Sequence, residues 1–221
     1  MDREAADRAL AHVDQIMRLG LLPRDQPAIA DNGRRSVVLE AAIRLFADRG
    51  FDACTMKDIA KVVGFKAPAI YNHFASKEQI LAEAMESVLR SFFGSVVASA
   101  AEDPPQVRLE GVVRRHVGFQ LDEPELARAI DALLGASTLE RVLPGAEYRK
   151  IVAAEHAYLS LLTDLVQAHT RGDEIDEHVT ALAIAAMCDR VSAWYRPGRE
   201  LGRDEVLEHT WRLACRMVRG R

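Results

Sequence analysis

The chain has 221 residues, of which 49% are hydrophobic and only 6% aromatic, and its formal net charge is −4. This content can bury a core without staples, and the abundance of Ala, Leu, Arg and Glu favours helices over strands, so we expect an all-α protein. The three cysteines are far apart, which argues against a disulfide framework or a zinc knuckle and is typical of a reducing cytoplasm. No segment is apolar enough for a signal peptide or a membrane span, so we expect no membrane partner.

The charge is distributed unevenly along the chain. Between Gly33 and Lys77 there are eight basic and four acidic residues, so this segment has a net charge of +4 and the remainder −8. A small basic module on an acidic body can neutralise DNA phosphates locally while the body avoids DNA.

The first 20 or so residues have apolar side chains at helical spacing, and Gly20, Pro23 and Pro27 then break the pattern. Residues 1–32 are therefore predicted to form an N-terminal extension, a helix followed by a linker. We expect it to pack on the body or to remain a partly disordered arm; direct contact with DNA or a partner is the alternative.

The next segment predicts two consecutive helices. An apolar stripe predicts the first over 34–49, and Gly50 ends it. Thr55 and Asp58 then have the spacing of a capping box, which predicts a short helix to about Val63.

Gly64 supplies a turn, and a second short helix is predicted over 67–73. Ser76 and Gln79 form another capping box, which opens a long helix to about residue 99. Two short helices joined by a glycine turn and followed by a long helix are typical of a helix–turn–helix, so residues 33–78 are predicted to be a DNA-binding domain. Only further helices are predicted beyond it, near 106–121, 125–137, 146–170, 177–195 and 203–219.

The predicted module resembles the DNA-binding signature of TetR-family repressors. The similar residues are TMKDIA at 55–60, GFK at 64–66 and IYNHFASKE at 70–78. The resemblance implies a homodimer that binds a palindromic operator in double-stranded DNA, with the second short helix in the major groove. It also implies that residues 79–221 form a larger helical domain for ligand binding and dimerisation, with the dimer interface on the last two helices and the helix near 146–170.

The same resemblance assigns roles to residues of the module. Phosphates would be contacted by Thr55, Tyr71, His73 and Lys77, and the groove would be faced by Lys66, Ala67, Ala69 and Asn72. Lys66 and the alanines depart from the family pattern, which often has a capping serine and polar residues there; alanines can pack on thymine methyl groups. Arg34 and Arg35 could reach the DNA backbone or minor groove, or remain solvated charges.

Polar residues lie within the apolar stripes of three predicted body helices. They are His116 and Gln120, then Glu155 with Tyr148 nearby, and Arg190 on the stripe that ends at Trp194. A charge in an apolar stripe is costly unless paired. Arg190 and Glu155 either pair with each other or across an interface, or lie exposed, or Arg190 holds an anionic ligand that His116 and Gln120 also anchor.

Residues 190–198 resemble a stretch found in a TetR branch that answers acyl-CoA thioesters, including regulators of fatty-acid and steroid-ring degradation. Arg190 and Trp194 are four residues apart and so share a helical face. Glu155 stands where that branch more often has arginine, and a carboxylate would repel a polyanionic thioester. The resemblance therefore implies an acyl-CoA effector, while Glu155 with Tyr148 and Tyr158 would suit a neutral or cationic hydrophobic compound. A DNA-binding protein without a ligand is a further alternative.

Catalytic motifs are missing from the sequence. The seven histidines form no H-x-x-x-H or H-E-x-x-H pattern, and no G-x-S-x-G or phosphate-binding glycine loop occurs. We therefore expect a cytoplasmic regulator with no enzymatic activity, cofactor or metal.

Overall fold

The computed structural model describes residues 2–22, 32–134, 137–170, 176–196, 198 and 201–219. Within these ranges the chain forms α-helices and one 3-10 turn, Ala98–Ala101, and no strand. The helices are α1 (Arg3–Arg18), α2 (Asn32–Arg49), α3 (Met56–Val62), α4 (Ala67–Tyr71), α5 (Lys77–Val96), α6 (Arg108–Asp122), α7 (Pro124–Leu134), α8 (Thr138–Val142), α9 (Gly145–His169), α10 (Glu177–Asp189), α11 (Val191–Trp194) and α12 (Arg203–Arg219).

Local sequence signals determine the boundaries of α3, α4 and α5. The Thr55 hydroxyl accepts from the Asp58 amide at 3.2 Å, and the Asp58 carboxylate accepts from the Thr55 amide at 2.9 Å, which is the predicted capping box. Gly64 has a φ of +71°, in the left-handed region that favours glycine, and turns the chain from α3 towards α4. Ser76 caps α5 by accepting from the Gln79 amide at 3.2 Å.

Helix α6 lies at the centre of the body, where it packs against α5, α7, α9, α10, α11 and α12. Helix α5 begins just after α4 and continues into the body for 20 residues, about 30 Å at the rise of an α-helix. One helix therefore joins the DNA-binding module to the body. Ion pairs also join them: Arg44–Glu125 at 2.6 Å, Arg141–Asp52 at 2.6 Å and Lys150–Glu86 at 2.9 Å.

Helix α1 packs on the body along α9. The Asp2 amide donates to the Ala168 carbonyl at 2.9 Å, and His12 contacts Asp164 at 3.1 Å, so α1 runs antiparallel to α9. Its buried face is Ala5, Ala6, Ala9, Val13 and Ile16. The extension predicted for residues 1–32 is thus packed on the body where it is described; residues 23–31, most of the predicted linker, lie outside the described residues.

The prediction of one helix over 177–195 was wrong. The chain turns at Arg190, so α10 ends at Asp189 and α11 begins at Val191. At this turn the Asp189 carboxylate meets His116 of α6, a contact distant in sequence that helical periodicity does not report.

The helix predicted over 125–137 is also shorter than expected. Helix α7 ends at Leu134, and α8 follows as a separate short helix; residues 135–136 lie outside the described part. Across the described ranges, no helix is long and apolar enough to cross a bilayer. Within the same ranges, no three His, Cys, Asp or Glu residues are grouped so as to hold a metal ion.

Candidate functional site

The helix–turn–helix presents α4 on its surface. Tyr71, Asn72 and His73 are exposed at the C-terminal end of α4, whereas Ile70 and Phe74 are buried and brace the helix against the module core. Tyr71 is therefore free to contact a ligand, while Phe74 has a packing role.

Most residues predicted to contact DNA lie at the surface of this module. The exposed ones are Arg34, Thr55, Lys66, Tyr71, Asn72 and His73, and the half-buried ones are Ala67 and Ala69. The Arg34 guanidinium lies 6.0 Å from the Phe65 ring centre, directly before α4. Arg34 and Lys66 are therefore placed together at the start of the predicted recognition helix.

Arg35 is in a different environment from Arg34. Its Nε and Nη2 atoms donate to the Glu83 carboxylate, its Nη1 donates to the His73 carbonyl at 2.7 Å, and its guanidinium lies 4.3 Å from the Phe74 ring centre. All three nitrogens already have acceptors within the protein, so the predicted DNA contact would require these bonds to break.

Lys77, predicted to contact phosphate, is also engaged within the module. Its Nζ donates to the carbonyls of Phe51 and Cys54 at 2.7 and 2.8 Å, and it lies 4.0 Å from the Phe51 ring centre. These bonds hold the loop between α2 and α3 against the start of α5. Lys77 therefore stabilises the module whether or not it also reaches a phosphate.

The body contains a buried polar cluster centred on His116. The Tyr158 hydroxyl is 2.8 Å from Nδ1 of His116, and Nε2 of His116 is 2.8 Å from the Asp189 carboxylate. Phe92 of α5 packs edge-on to His116, with ring centres 5.0 Å apart, and also contacts Phe119. The cluster thus joins α6, α9 and α10 to the helix that begins at the DNA-binding module.

Gln120 lies one helical turn beyond His116 on the same face of α6. Its side chain is almost fully buried, at 3% exposed, and its Oε1 atom has no hydrogen-bond partner. Leaving a buried acceptor unpaired costs about 1–3 kcal/mol. Such an atom is suited to accept a hydrogen bond from a bound ligand.

Asp131 of α7 lies near the same cluster. Burial and the nearby Asp189 carboxylate raise the pKa of Asp131 to about 6, while His116 and Arg190 oppose the shift. Burial also raises the pKa of the Tyr158 hydroxyl and of the Cys188 thiol. The groups are thus held in their neutral forms within a mostly apolar core, as expected where water is scarce.

Asp131→Asn is expected to stabilise the protein at neutral pH. Because the folded-state pKa of Asp131 lies above its unfolded value, its contribution to stability falls as pH rises from about 4 to 6. Thermal melts should therefore show a gain for the variant at about pH 7.5 that vanishes near pH 4.

Asp122→Asn provides a control of opposite sign. A hydrogen bond from Arg203 lowers the pKa of Asp122, so that carboxylate stabilises the fold above its unfolded pKa and loses its effect as pH falls. Its removal should lower the melting temperature at neutral pH. A neutral-pH loss in Asp131→Asn like that of Asp122→Asn would contradict the assignment.

Two family models match the chain. The model described as bacterial regulatory proteins, tetR family, matches residues 38–84, and the tetracyclin repressor-like C-terminal domain model matches residues 102–218. The chain belongs to the TetR family. The all-α fold, the DNA-binding helix–turn–helix and the helical C-terminal domain predicted from sequence are thereby confirmed.

Similar proteins include regulators with named effectors. The chain is 38% identical over 91 residues to the transcriptional repressor KstR2 of Mycobacterium tuberculosis, a match that covers 40% of this chain and 44% of that protein. It is 26% identical over 192 residues to KstR2 of Mycolicibacterium smegmatis, covering 82% and 86%. The structure of AibR with isovaleryl coenzyme A and operator DNA superposes with a TM-score of 0.68 at 22% identity, covering 81% and 97%, which shows a shared fold. The matched stretch thus spans less than half the length of the first of these relatives.

In this TetR-family protein, the other predicted ligand residues lie apart from the His116 cluster. Tyr148 and Glu155 are half-buried on α9, and burial raises the pKa of Glu155. Among the described residues no ion pair joins Glu155 to Arg190, so the predicted pairing within one chain is not formed. Arg190 and Trp194 are exposed, Trp194 by 53%. The apolar stripe of Arg190 therefore lies on the surface and not in the core.

Tyr158, Asp131 and Asp189 were not among the predicted ligand residues. Tyr158 was weighed only for a cation, and the helix predicted through residue 195 gave no reason to turn Asp189 inward. A polar residue is recognised in an apolar stripe only if its neighbours in sequence are buried with it. The contacts of Asp131 and Asp189 come from other helices, so sequence held no signal for them.

An unpartnered apolar surface is present on α10 and α12 of this TetR-family protein. The two helices pack together, and their exposed large apolar residues are Val179, Leu182, Leu213 and Met217. Helix α9, predicted to share the dimer interface, is instead covered by α1. The exposed apolar faces of α10 and α12 are those that a second copy of the chain could cover.

Proposed function

We propose that this protein is a ligand-responsive transcriptional repressor that binds a palindromic operator as a homodimer and is released by a small effector. The observation that carries the proposal is the course of α5. It begins three residues after the buried anchor Phe74 of the recognition helix and places Phe92 against His116 in the body. A ligand that displaces Phe92 or His116 would shift the helix on which the DNA-binding module is mounted.

Two-fold symmetry supports the palindromic operator. A homodimer formed through α10 and α12 would present two copies of α4, and closed symmetry matches an inverted repeat. Effector and operator would each favour a different spacing of the two recognition helices. By linkage, DNA then weakens effector binding by the same factor as effector weakens DNA binding.

We further propose an acyl-CoA thioester as the effector. KstR2 and AibR support this class, because the AibR structure contains isovaleryl coenzyme A and KstR2 is described as a ketosteroid regulator. Exposed Arg190 could bind the phosphates beside the aromatic ring of Trp194, while the apolar acyl group enters towards the His116 cluster. Gln120 would then accept a hydrogen bond from the buried part of the ligand.

A cationic or neutral hydrophobic effector is the second candidate. The buried polar groups of the body include several acceptors, namely Asp131, Asp189, Glu155 and Oε1 of Gln120. Acceptors near aromatic rings suit an amine or a hydroxyl donor. The two candidates differ in the sign of the charge that Arg190 would meet.

The first experiment is selection of an operator from randomised duplexes, followed by DNA-shift titrations with acyl-CoA thioesters and the matched free acids. Release by thioesters alone supports the acyl-CoA proposal. Release by hydrophobic amines, with thioesters inactive, supports the second candidate. Failure to select any operator would overturn the proposed function.

Arg190→Glu is expected to abolish the response to an acyl-CoA thioester while preserving operator binding. Reversing the charge replaces a phosphate-binding guanidinium by a repelling carboxylate, so the half-maximal thioester concentration should rise at least about tenfold. Arg18→Glu, an exposed change on α1, is the matched control and should respond like the wild type. An unchanged response of Arg190→Glu would contradict the role of Arg190.

A further inference from the structure

Recognition helix α4 has few means of its own to hold its orientation. It has five residues, and its N-cap residue Lys66 makes no side-chain capping bond. Because so short a helix is unstable in isolation, its placement depends on contacts to other helices. The buried side chains of Ile70 and Phe74 supply the apolar part of these contacts.

Polar contacts hold the backbone that follows α4. The His73 carbonyl accepts from Nη1 of Arg35 on α2 at 2.7 Å, and the Ala75 amide donates to Oε1 of Gln79 on α5 at 2.7 Å. The Arg35 guanidinium also covers the Phe74 ring, 4.3 Å from its centre. One arginine thus holds both the carbonyl at the end of α4 and the aromatic anchor beside it.

These contacts converge on Glu83 of α5. Nε of Arg35 donates to the Glu83 carboxylate at 3.1 Å, with a further bond from Nη2, and Nε2 of Gln79 donates to it at 3.0 Å. The side chains of Arg35 and Glu83 are only about one-third exposed, at 33% and 31%. A two-pronged arginine–carboxylate pair has a fixed geometry, so this network joins α2, the end of α4 and α5 in one relative orientation.

We propose that Arg35 and Glu83 are positioning residues, which set the orientation of α4 for reading the operator, and that Arg35 does not itself bind phosphate. The inference rests on the proposed operator binding. Arg34, its neighbour in sequence, is exposed beside Phe65 and makes no ion pair among the described residues, so it is the arginine free to meet the DNA backbone.

The test compares Arg35→Gln and Glu83→Gln on the selected operator and on a scrambled duplex of equal composition, at several salt concentrations. Positioning predicts that both variants lower the operator-to-scrambled affinity ratio by about tenfold. The double variant should lose little more, because both residues act through one network. The salt dependence of binding should stay that of the wild type, since no phosphate contact is lost.

Arg34→Gln is the matched control, with the same change of charge one residue away. It should weaken binding to both duplexes alike and lower the salt slope by about 0.9. Arg35→Lys keeps the charge but not the planar fork, and it should behave like Arg35→Gln. Circular dichroism melts establish that each variant is folded at the temperature of the titration.

Direct phosphate binding by Arg35 predicts a different pattern. Glu83→Gln would then release the guanidinium and strengthen binding to both duplexes, and Arg35→Gln would behave like Arg34→Gln. Either result, or an unchanged affinity ratio in Glu83→Gln, overturns the inference. A wild-type protein that selects no operator overturns the proposed function itself, which distinguishes the two failures.

Discussion

Leu213→Glu is expected to yield a folded monomer that binds the operator at least about a hundredfold more weakly than the wild type. Leu213 is 49% exposed on α12, four residues before exposed Met217, and α12 packs against α10, where Leu182 is also exposed. A carboxylate in the centre of a dimer interface would have to be buried without a partner, which is strongly unfavourable.

The size of the loss follows from linking two DNA-binding modules. A dimer that has bound one half-site presents its second module at a high effective concentration, and losing this advantage weakens binding by about 10²–10⁴. Sedimentation should report the monomer, and titration with the operator should report the weaker affinity. Binding to a duplex with a single half-site should be nearly unchanged.

Met17→Glu is the matched control for this prediction. Met17 is 42% exposed, close to the value for Leu213, but it lies on the outer face of α1. The same change should leave both the oligomeric state and operator affinity unaltered. A dimeric Leu213→Glu, or a monomeric Met17→Glu, would show that the copies meet through a different surface.

The helix–turn–helix could be predicted from sequence almost to the residue because its signals are local. The capping boxes of Thr55 and Ser76 each involve residues three positions apart, and Gly64 is required by a single backbone angle. Such signals act before any tertiary contact forms.

Features that depend on distant contacts could not be predicted in this way. The turn at Arg190 accompanies a contact between Asp189 and His116, which are 73 positions apart, and the engagement of Arg35 depends on Glu83, 48 positions away. Periodicity shows only that residues share a helical face and not what covers that face. The apolar stripe with Arg190 therefore has the same pattern in sequence whether it lines a pocket or a dimer interface.

Arg108→Ala is expected to lower the free energy of unfolding by about 3 kcal/mol. Arg108 is only 4% exposed, and its guanidinium donates to the carbonyls of Ala100, Ala6 and Asp103 at 2.8, 2.9 and 3.2 Å. Truncation removes these charge-assisted bonds and leaves a cavity where the side chain was packed. The loss should be read from chemical denaturation, with Arg212→Ala as the control. Arg212 is 63% exposed, and its removal should cost under about 0.5 kcal/mol.

The location of the damage distinguishes the role of Arg108 from general loosening. Ala6 belongs to α1, which precedes the residues matched by either family model, and its bond to Arg108 ties this additional helix to the start of α6. Hydrogen exchange should therefore accelerate in residues 2–22 of Arg108→Ala more than in α12, and not in Arg212→Ala. Because α1 covers α9, and α9 supplies Tyr158 to the buried cluster, loss of this one anchor should also weaken the effector response. Unchanged exchange in α1 would show that its apolar face alone holds it in place.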